Sequence, residues 1–149
     1  MSVDETKDLN ETETVAIAMK KVGSAPHHDL LVAEADDILI VLPEKGFKDT
    51  AEASRVTVAA LQDYARRLGK KCGLIIVANN LLAQEAESRR IYADGITPDL
   101  FYAVTLVVGS PVARIIGNLA VRLNAMQVPV NVVQTIAGGI AWLEANRKV

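Results

Sequence analysis

The chain has 149 residues, a formal net charge of −2, and a hydrophobic fraction of one half. A chain of this length and composition is most simply one domain with enough apolar material for one core. Aromatic residues make up only 4% of it, which leaves few side chains on which bases could stack. The near-neutral charge gives no electrostatic footprint for a phosphate backbone. We therefore expect no nucleic-acid partner.

The compartment is predicted from cysteine content and from the first residues. The single cysteine, Cys72, opens an apolar run and excludes an internal disulfide, which fits a reducing environment. Residues 1–5 are acidic and lack the basic and apolar regions of a signal peptide. The sequence contains no apolar run long enough to cross a bilayer. We expect a cytoplasmic protein without a transmembrane segment.

The chain begins with a polar stretch that shows no apolar periodicity. We predict a mobile tail over residues 1–13 and a single domain over residues 14–149. The pattern from Thr14 to Val22 is compatible with an edge strand or with a short helix. Residues 23–26 are typical of a break.

A hairpin and a helix follow. Two apolar runs between Asp29 and Leu42, separated by a tight turn at residues 35–37, predict a β-hairpin. Asp49 or Thr50 is a suitable cap for a helix with apolar residues at helical spacing up to Leu68. Gly69 is the expected helix stop.

The middle of the chain predicts a buried strand and a second helix. The run from Cys72 to Ala78 is continuously apolar, which favours burial on both faces. Either residue of the pair at 79–80 could cap a helix from Leu82 to Tyr92, which Gly95 would end.

The last third of the chain is typical of a parallel-sheet unit. It predicts a strand at 103–108, a helix from Val112 to Met126 capped by Ser110, a strand at 130–133, and a closing helix capped by Thr135. The helix over 112–126 is apolar beyond one narrow stripe, which predicts self-association. The ring of Trp142 is expected to close the core. Gly138 and Gly139 inside the last helix suggest a close approach of backbones.

Catalytic and metal sites are not supported by the sequence. His27 and His28 are neighbours that would point to opposite faces, and no further histidine or second cysteine completes a metal site. The sequence around Ser110 lacks the second glycine of a nucleophile elbow. We expect no catalytic residue, no metal ligand and no cofactor.

One ligand site can be proposed from the predicted topology. Asn79, Asn80 and Ser110 follow two predicted parallel strands, where open α/β sheets bind ligands and where helix N-termini attract anions. Arg89 and Arg90 could supply positive charge, although a solvated helix face explains them as well. These five residues form the predicted ligand or partner site.

Several stretches of the chain resemble the STAS / SpoIIAA-like superfamily, and more narrowly a bacterial branch of unknown function. They are residues 36–41, 87–90, 102–111, 114–118 and 140–143, within a likeness that covers about residues 28–147. The resemblance implies a SpoIIAA-like α/β domain. Anti-sigma-factor antagonists of this superfamily carry a phosphorylated serine at the start of the second helix, where this chain has Asn79-Asn80-Leu81-Leu82. We therefore expect no phosphorylation switch at that position.

Taken together, these observations predict a non-catalytic protein-interaction or regulatory domain that forms a homodimer and has a further protein partner. The alternative is a domain that binds a small lipid, nucleotide or anion at the strand ends near Asn79 and Ser110.

Overall fold

The computed structural model describes residues 19–25, 28–33, 37–78, 81–109 and 126–147. The predicted tail over residues 1–13 lies outside the described residues, and so does most of the predicted helix over 112–126. The same holds for three residues of the predicted site, Asn79, Asn80 and Ser110.

Strands and helices alternate over most of the described chain. In chain order the elements are β1 (Met19–Ala25), β2 (His28–Ala33), β3 (Ile38–Pro43), β4 (Phe47–Asp49), α1 (Ala51–Leu68), β5 (Cys72–Val77), β6 (Leu81–Gln84), α2 (Ala86–Gly95), β7 (Phe101–Val107), β8 (Val130–Val133) and α3 (Ile136–Asn146).

Six of these strands form one sheet in the order β1-β2-β3-β5-β7-β8. The neighbours β1, β2 and β3 pair antiparallel, whereas β3, β5, β7 and β8 pair parallel. Strands β4 and β6 form a separate two-stranded parallel sheet. The predicted fold is confirmed: it is one α/β domain with a mixed, mainly parallel sheet and flanking helices. No described helix has the length and apolar character needed to cross a membrane.

Two sequence predictions are wrong in detail. Residues 23–25 are not a break, because they continue β1 into its pairing with β2, in which Ala25 faces His28. The segment from Leu82 is not helical at its start: residues 81–84 form β6, and α2 begins only at Ala86. The competing pairing with β4, some 35 residues earlier in the chain, decides the conformation of this segment.

The ends of α1 follow the predicted chemistry. The Thr50 hydroxyl accepts a hydrogen bond from the Ala53 N–H, and Gly69 ends the helix at a φ of 79°. That left-handed conformation is one that glycine adopts without strain. The apolar spacing therefore predicts this helix correctly at both ends.

The sheet is covered on both faces. On one face, α1 and α2 bury side chains such as Leu39, Leu74 and Val104. On the other face, α3 packs on β5, β7 and β8 through Ile136 and Leu143, both almost fully buried. Burial of β5 on both faces explains its continuously apolar sequence.

Two glycines allow close packing between elements. A Cβ at Gly139 would lie 2.9 Å from Cγ2 of Thr105, so α3 rests directly on β7. A Cβ at Gly95 would overlap Cγ1 of Val58, so the end of α2 rests on α1. The close approach at Gly139 is thus between the helix backbone and side chains of the sheet, and not between two backbones as predicted. Trp142 packs against the same apolar cluster as Leu143 but stays partly exposed.

Candidate functional site

Polar side chains converge where α1 and α2 begin. Strand β4 follows β3 and leads into α1, and β6 follows β5 and leads into α2. The small β4–β6 sheet therefore brings the N-termini of both helices together. We call the polar residues at this junction, Asp49, Ser54, Gln84 and Ser88, the Asp49 cluster.

The carboxylate of Asp49 is the centre of this cluster and is 2% exposed. The Ser54 hydroxyl donates to Oδ1 at 3.0 Å, and the Gln84 amide donates to Oδ2 at 3.1 Å. The backbone carbonyl of Asp49 accepts hydrogen bonds from the Ser88 hydroxyl at 3.2 Å and from the Glu85 N–H at 3.0 Å. Each oxygen of Asp49 is thus satisfied within the protein, as a buried polar group requires.

A second contact joins the two helix starts. Glu85 is the N-cap residue of α2, yet its side chain caps the other helix, because Oε1 accepts from the Ala51 N–H at 2.8 Å. A carboxylate at a helix N-terminus is favoured by the helix dipole. This cap fixes the start of α1 to the start of α2.

The charge of Asp49 also acts on a tyrosine of α2. Burial raises the pKa of Tyr92, and the negative charge of Asp49 raises it further, whereas a hydrogen bond from Thr57 opposes the shift. Tyr92 therefore remains a neutral phenol throughout the physiological pH range.

Of the five residues of the predicted site, the structure describes only Arg89 and Arg90. Asn79 and Asn80 do not cap α2, because that helix begins six residues after Asn80 and has Glu85 at its N-cap. The guanidinium of Arg89 reaches the Gln84 carbonyl at a long 3.5 Å, which places Arg89 beside the Asp49 cluster. Arg90 points to solvent and pairs with Glu87 at 3.3 Å.

At this end of the sheet, few hydrogen-bonding groups of the Asp49 cluster are available to a ligand. The hydrogen-bonding groups of the Asp49 cluster are used by one another, and three of its four members are buried. Within the described ranges, no three His, Cys, Asp or Glu side chains are grouped so that they could hold a metal ion. The cluster is best explained as a structural junction.

The carboxyl ends of β7 and β8 offer a different geometry. After β7, Val108 packs on the α1/α2 side of the sheet with Ala78 and Val132. After β8, the chain turns to the opposite face, where Thr135 caps α3 and its hydroxyl accepts from the Gly138 N–H. The N-terminus of α3 therefore lies near the carboxyl end of β8, the end of a parallel sheet at which open α/β folds bind ligands. Ser110, which follows β7 in the sequence, lies outside the described residues.

A third polar group lies at the amino ends of the strands, and the sequence did not predict it. Asp37, just before β3, is 5% exposed and pairs with Arg147 at the end of α3. Nη2 of Arg147 donates to Oδ1 at 2.9 Å, and Nε lies 2.7 Å from Oδ2 without the alignment of a hydrogen bond. The local sequence at 36–37 predicts only a turn, and no local pattern points to a partner 110 residues away.

The hydroxyl of Tyr102 lies beside this ion pair. It is buried and makes no hydrogen bond of good geometry. Burial raises the pKa of Tyr102, and the negative charge of Asp37 adds to the rise. A Cβ at Gly73 would lie 2.7 Å from this hydroxyl, so glycine is required there. The contacts of Arg147 with Asp37 hold the end of α3 against the sheet.

The exposed side of α3 differs from that of the other helices. Ala137, Ala141 and Ala145 are exposed at a spacing of four residues, and Glu144 is the one charged residue within the helix. We call the three alanines the α3 surface. On α1, by contrast, five of the seven exposed positions are charged (Glu52, Arg55, Asp63, Arg66 and Arg67).

Comparison with known proteins identifies a family but no function. Neither the curated proteins nor the solved structures contain a significant match to the chain. A family model described as a domain of unknown function (DUF7793) matches residues 32–147. This match extends from β2 through the end of α3 and so includes the Asp49 cluster, the Asp37–Arg147 pair and the α3 surface. The chain therefore belongs to the DUF7793 family.

Proposed function

We propose that the chain is a non-catalytic protein-interaction domain that pairs with a second copy of itself through the α3 surface. The observation that carries the proposal is the composition of α3, whose exposed positions hold three alanines and one charged residue, Glu144. The solvent face of a surface helix typically carries mostly charged and polar residues. Contact with a second protein surface would bury the three alanines.

A second copy fits this surface without conflict of charge or size. In an isologous contact the same patch is used by both subunits. If two α3 helices cross antiparallel at Ala141, then Ala137 of one copy faces Ala145 of the other. Glu144 would face Gly138, so that like charges do not meet. Small side chains at the crossing allow the helix backbones to approach closely.

The size of α3 limits how tight this pairing can be. A helix of eleven residues is about 16 Å long. It offers less than the roughly 800 Å² per partner of a standard stable interface. We therefore expect a dimer that dissociates at low protein concentration.

Sedimentation equilibrium over a range of concentrations tests the proposal. The wild-type chain should show a reversible monomer–dimer equilibrium. Ala141→Arg places a charged side chain at the crossing point and should give a monomer at every concentration. Arginine is a good helix former, so the substitution should leave α3 folded.

A matched control is available on α1. Ala59 is also an exposed alanine in a helix, and Ala59→Arg should dimerise like the wild type. A wild-type chain that is monomeric at the highest concentrations, or an Ala141→Arg variant that dimerises normally, would contradict the proposal.

A second candidate function is the binding of a small anion at the carboxyl end of β8. It is favoured by the N-terminus of α3, which lies there and has no acidic residue in its first turn. A helix N-terminus attracts anions. Titration with inorganic phosphate, followed by amide shifts of residues 134–138, would detect such binding. Unchanged shifts would eliminate this candidate and leave the self-association proposal untouched.

A further inference from the structure

We propose that the side chain of Asn131 protects the outer edge of β8 from pairing with a strand of another chain. The strand β8 stands at one end of the six-stranded order, so its far side has no strand partner among the described residues. Such an edge presents N–H and C=O groups on which a second chain can add a strand. This protection is distinct from the self-association proposed above, because it concerns a strand edge and not the α3 surface.

The pairing of β8 with β7 shows which backbone groups face outward. The carbonyls of Pro129 and Val133 both accept hydrogen bonds from N–H groups of β7 or of the residue that follows it. The N–H and C=O groups of successive strand residues point to opposite sides, so the odd-numbered residues of this segment face β7. The N–H and C=O groups of Val130 and Val132 therefore point away from β7, toward the outer edge.

The side chain of Asn131 occupies one of these outward groups. Its Oδ1 accepts a hydrogen bond from the Val132 N–H at 2.9 Å. Within the four described residues of β8, Val130 and Val132 carry the two N–H groups that face outward. A strand added along this edge would need both of them, so it would first have to displace the amide of Asn131.

The other edge of the sheet is protected by different means. The pairing of β1 with β2 is interrupted by a register shift between Lys21 and Gly23, and Lys21 is exposed. A bulge and a charged side chain both disfavour the addition of a strand. Strand β8 has neither, because it reads Val-Asn-Val-Val and pairs with β7 without a shift. Valine favours strands, so Asn131 and the short length of β8 are the features that oppose pairing there.

Protection of this edge would also keep the proposed assembly finite. Self-association through the α3 surface uses the same patch on both copies and closes as a dimer. A second self-pairing surface at β8 would join dimers to one another into an open chain. This consequence rests on the proposed function, whereas the protection of the edge by Asn131 does not.

Amide hydrogen exchange measured by NMR tests the hydrogen bond itself. In the wild-type chain, the Val132 amide should be better protected than the outward-facing Val130 amide. In Asn131→Ala, the Val132 amide should exchange about fivefold to tenfold faster, which is the effect of one lost hydrogen bond. Asn131→Asp keeps an oxygen that can accept from this N–H and should keep the protection. Equal protection of the two amides in the wild-type chain would overturn the proposal.

Sedimentation velocity tests whether loss of this hydrogen bond opens the edge. Two variants are compared in the Ala141→Arg background, which disrupts contact through the α3 surface. Asn131→Ala should form species larger than its parent, and their share should rise with protein concentration. Gln134→Ala is the matched control, because Gln134 is an exposed amide that follows β8 and its removal leaves the hydrogen bond of Val132 in place. This variant should sediment like the parent.

A folded Asn131→Ala chain that associates no more than Gln134→Ala would overturn the proposal. If Asn131→Ala fails to fold, the exchange of the Val130 and Val132 amides in the wild-type chain decides the matter. The two variants share one background, so their comparison holds whether or not Ala141→Arg is itself monomeric. Failure of the self-association proposal is therefore distinguishable from failure of this one.

Discussion

Replacement of Arg147 by methionine should destabilise the fold measurably, because it leaves the Asp37 carboxylate buried without its partner. The Asp37 side chain is 8% exposed and that of Arg147 is 37% exposed. Breaking a fully buried ion pair by removing one partner costs about 3 to 5 kcal/mol. Water can reach Asp37 from the exposed side of Arg147, so we expect a smaller loss of about 2 kcal/mol. For a chain of this size that corresponds to a melting temperature lowered by roughly 4 to 8 °C.

Urea unfolding of a double-mutant cycle measures this cost. Asp37→Asn removes the charge that needs a partner, so the variant with both substitutions should be less destabilised than the sum of the two single variants. Arg90→Met is the control, since Arg90 pairs with Glu87 on the surface, where such pairs contribute little. An Arg147→Met variant no more destabilised than Arg90→Met, or additive effects of the two substitutions at the buried pair, would refute a stabilising role of the ion pair.

Four further outcomes are expected. Gly95→Ala forces a Cβ into a buried valine of α1 and should cost about 1 to 3 kcal/mol in urea unfolding, whereas Gly23→Ala, with only an ordinary contact at 3.8 Å, should cost far less. Tyr102→Phe removes a buried hydroxyl without a hydrogen-bond partner and should leave the melting temperature unchanged or raised. Above pH 10 the unfolded chain releases tyrosine protons that the folded chain retains, so stability should fall with rising pH, and less steeply in Tyr92→Phe. The buried Ser88 hydroxyl should carry no phosphate after incubation of the folded chain with kinases, as judged by phosphosite mapping.

Local chemistry predicts much of this fold. The cap at Thr50 and the stop at Gly69 depend on neighbouring residues, and the buried run from Cys72 depends on its own composition. Strand β6 is not predictable in the same way, because Leu81–Gln84 is short and pairs with β4 across a long sequence separation. Its conformation depends on pairing with β4 and on the hydrogen bond from Gln84 to Asp49. Neither contact can be inferred from the residues adjacent to β6 in the sequence.

The partners of the buried acidic side chains are less predictable from the sequence than the helices and strands. Asp49 was considered as a helix cap, but the neighbouring Thr50 is the cap and Asp49 accepts hydrogen bonds from Ser54 and from the distant Gln84. One sequence signal was available, since an acid and a hydroxyl five residues apart at a helix start can meet across its first turn. The partner of Asp37 lies at the other end of the chain and requires the assembled sheet to be found.

Oxidative cross-linking on α3 tests the central claim of self-association most directly. Chains with Ala137→Cys and chains with Ala145→Cys are mixed and oxidised, while the buried Cys72 serves as an unreactive internal reference. Antiparallel pairing about Ala141 places position 137 of one copy opposite position 145 of the other. Disulfides between the two different variants should therefore predominate over those between identical ones. A statistical mixture of all three products, or no disulfide-linked dimer at concentrations where the wild type should associate, would contradict it.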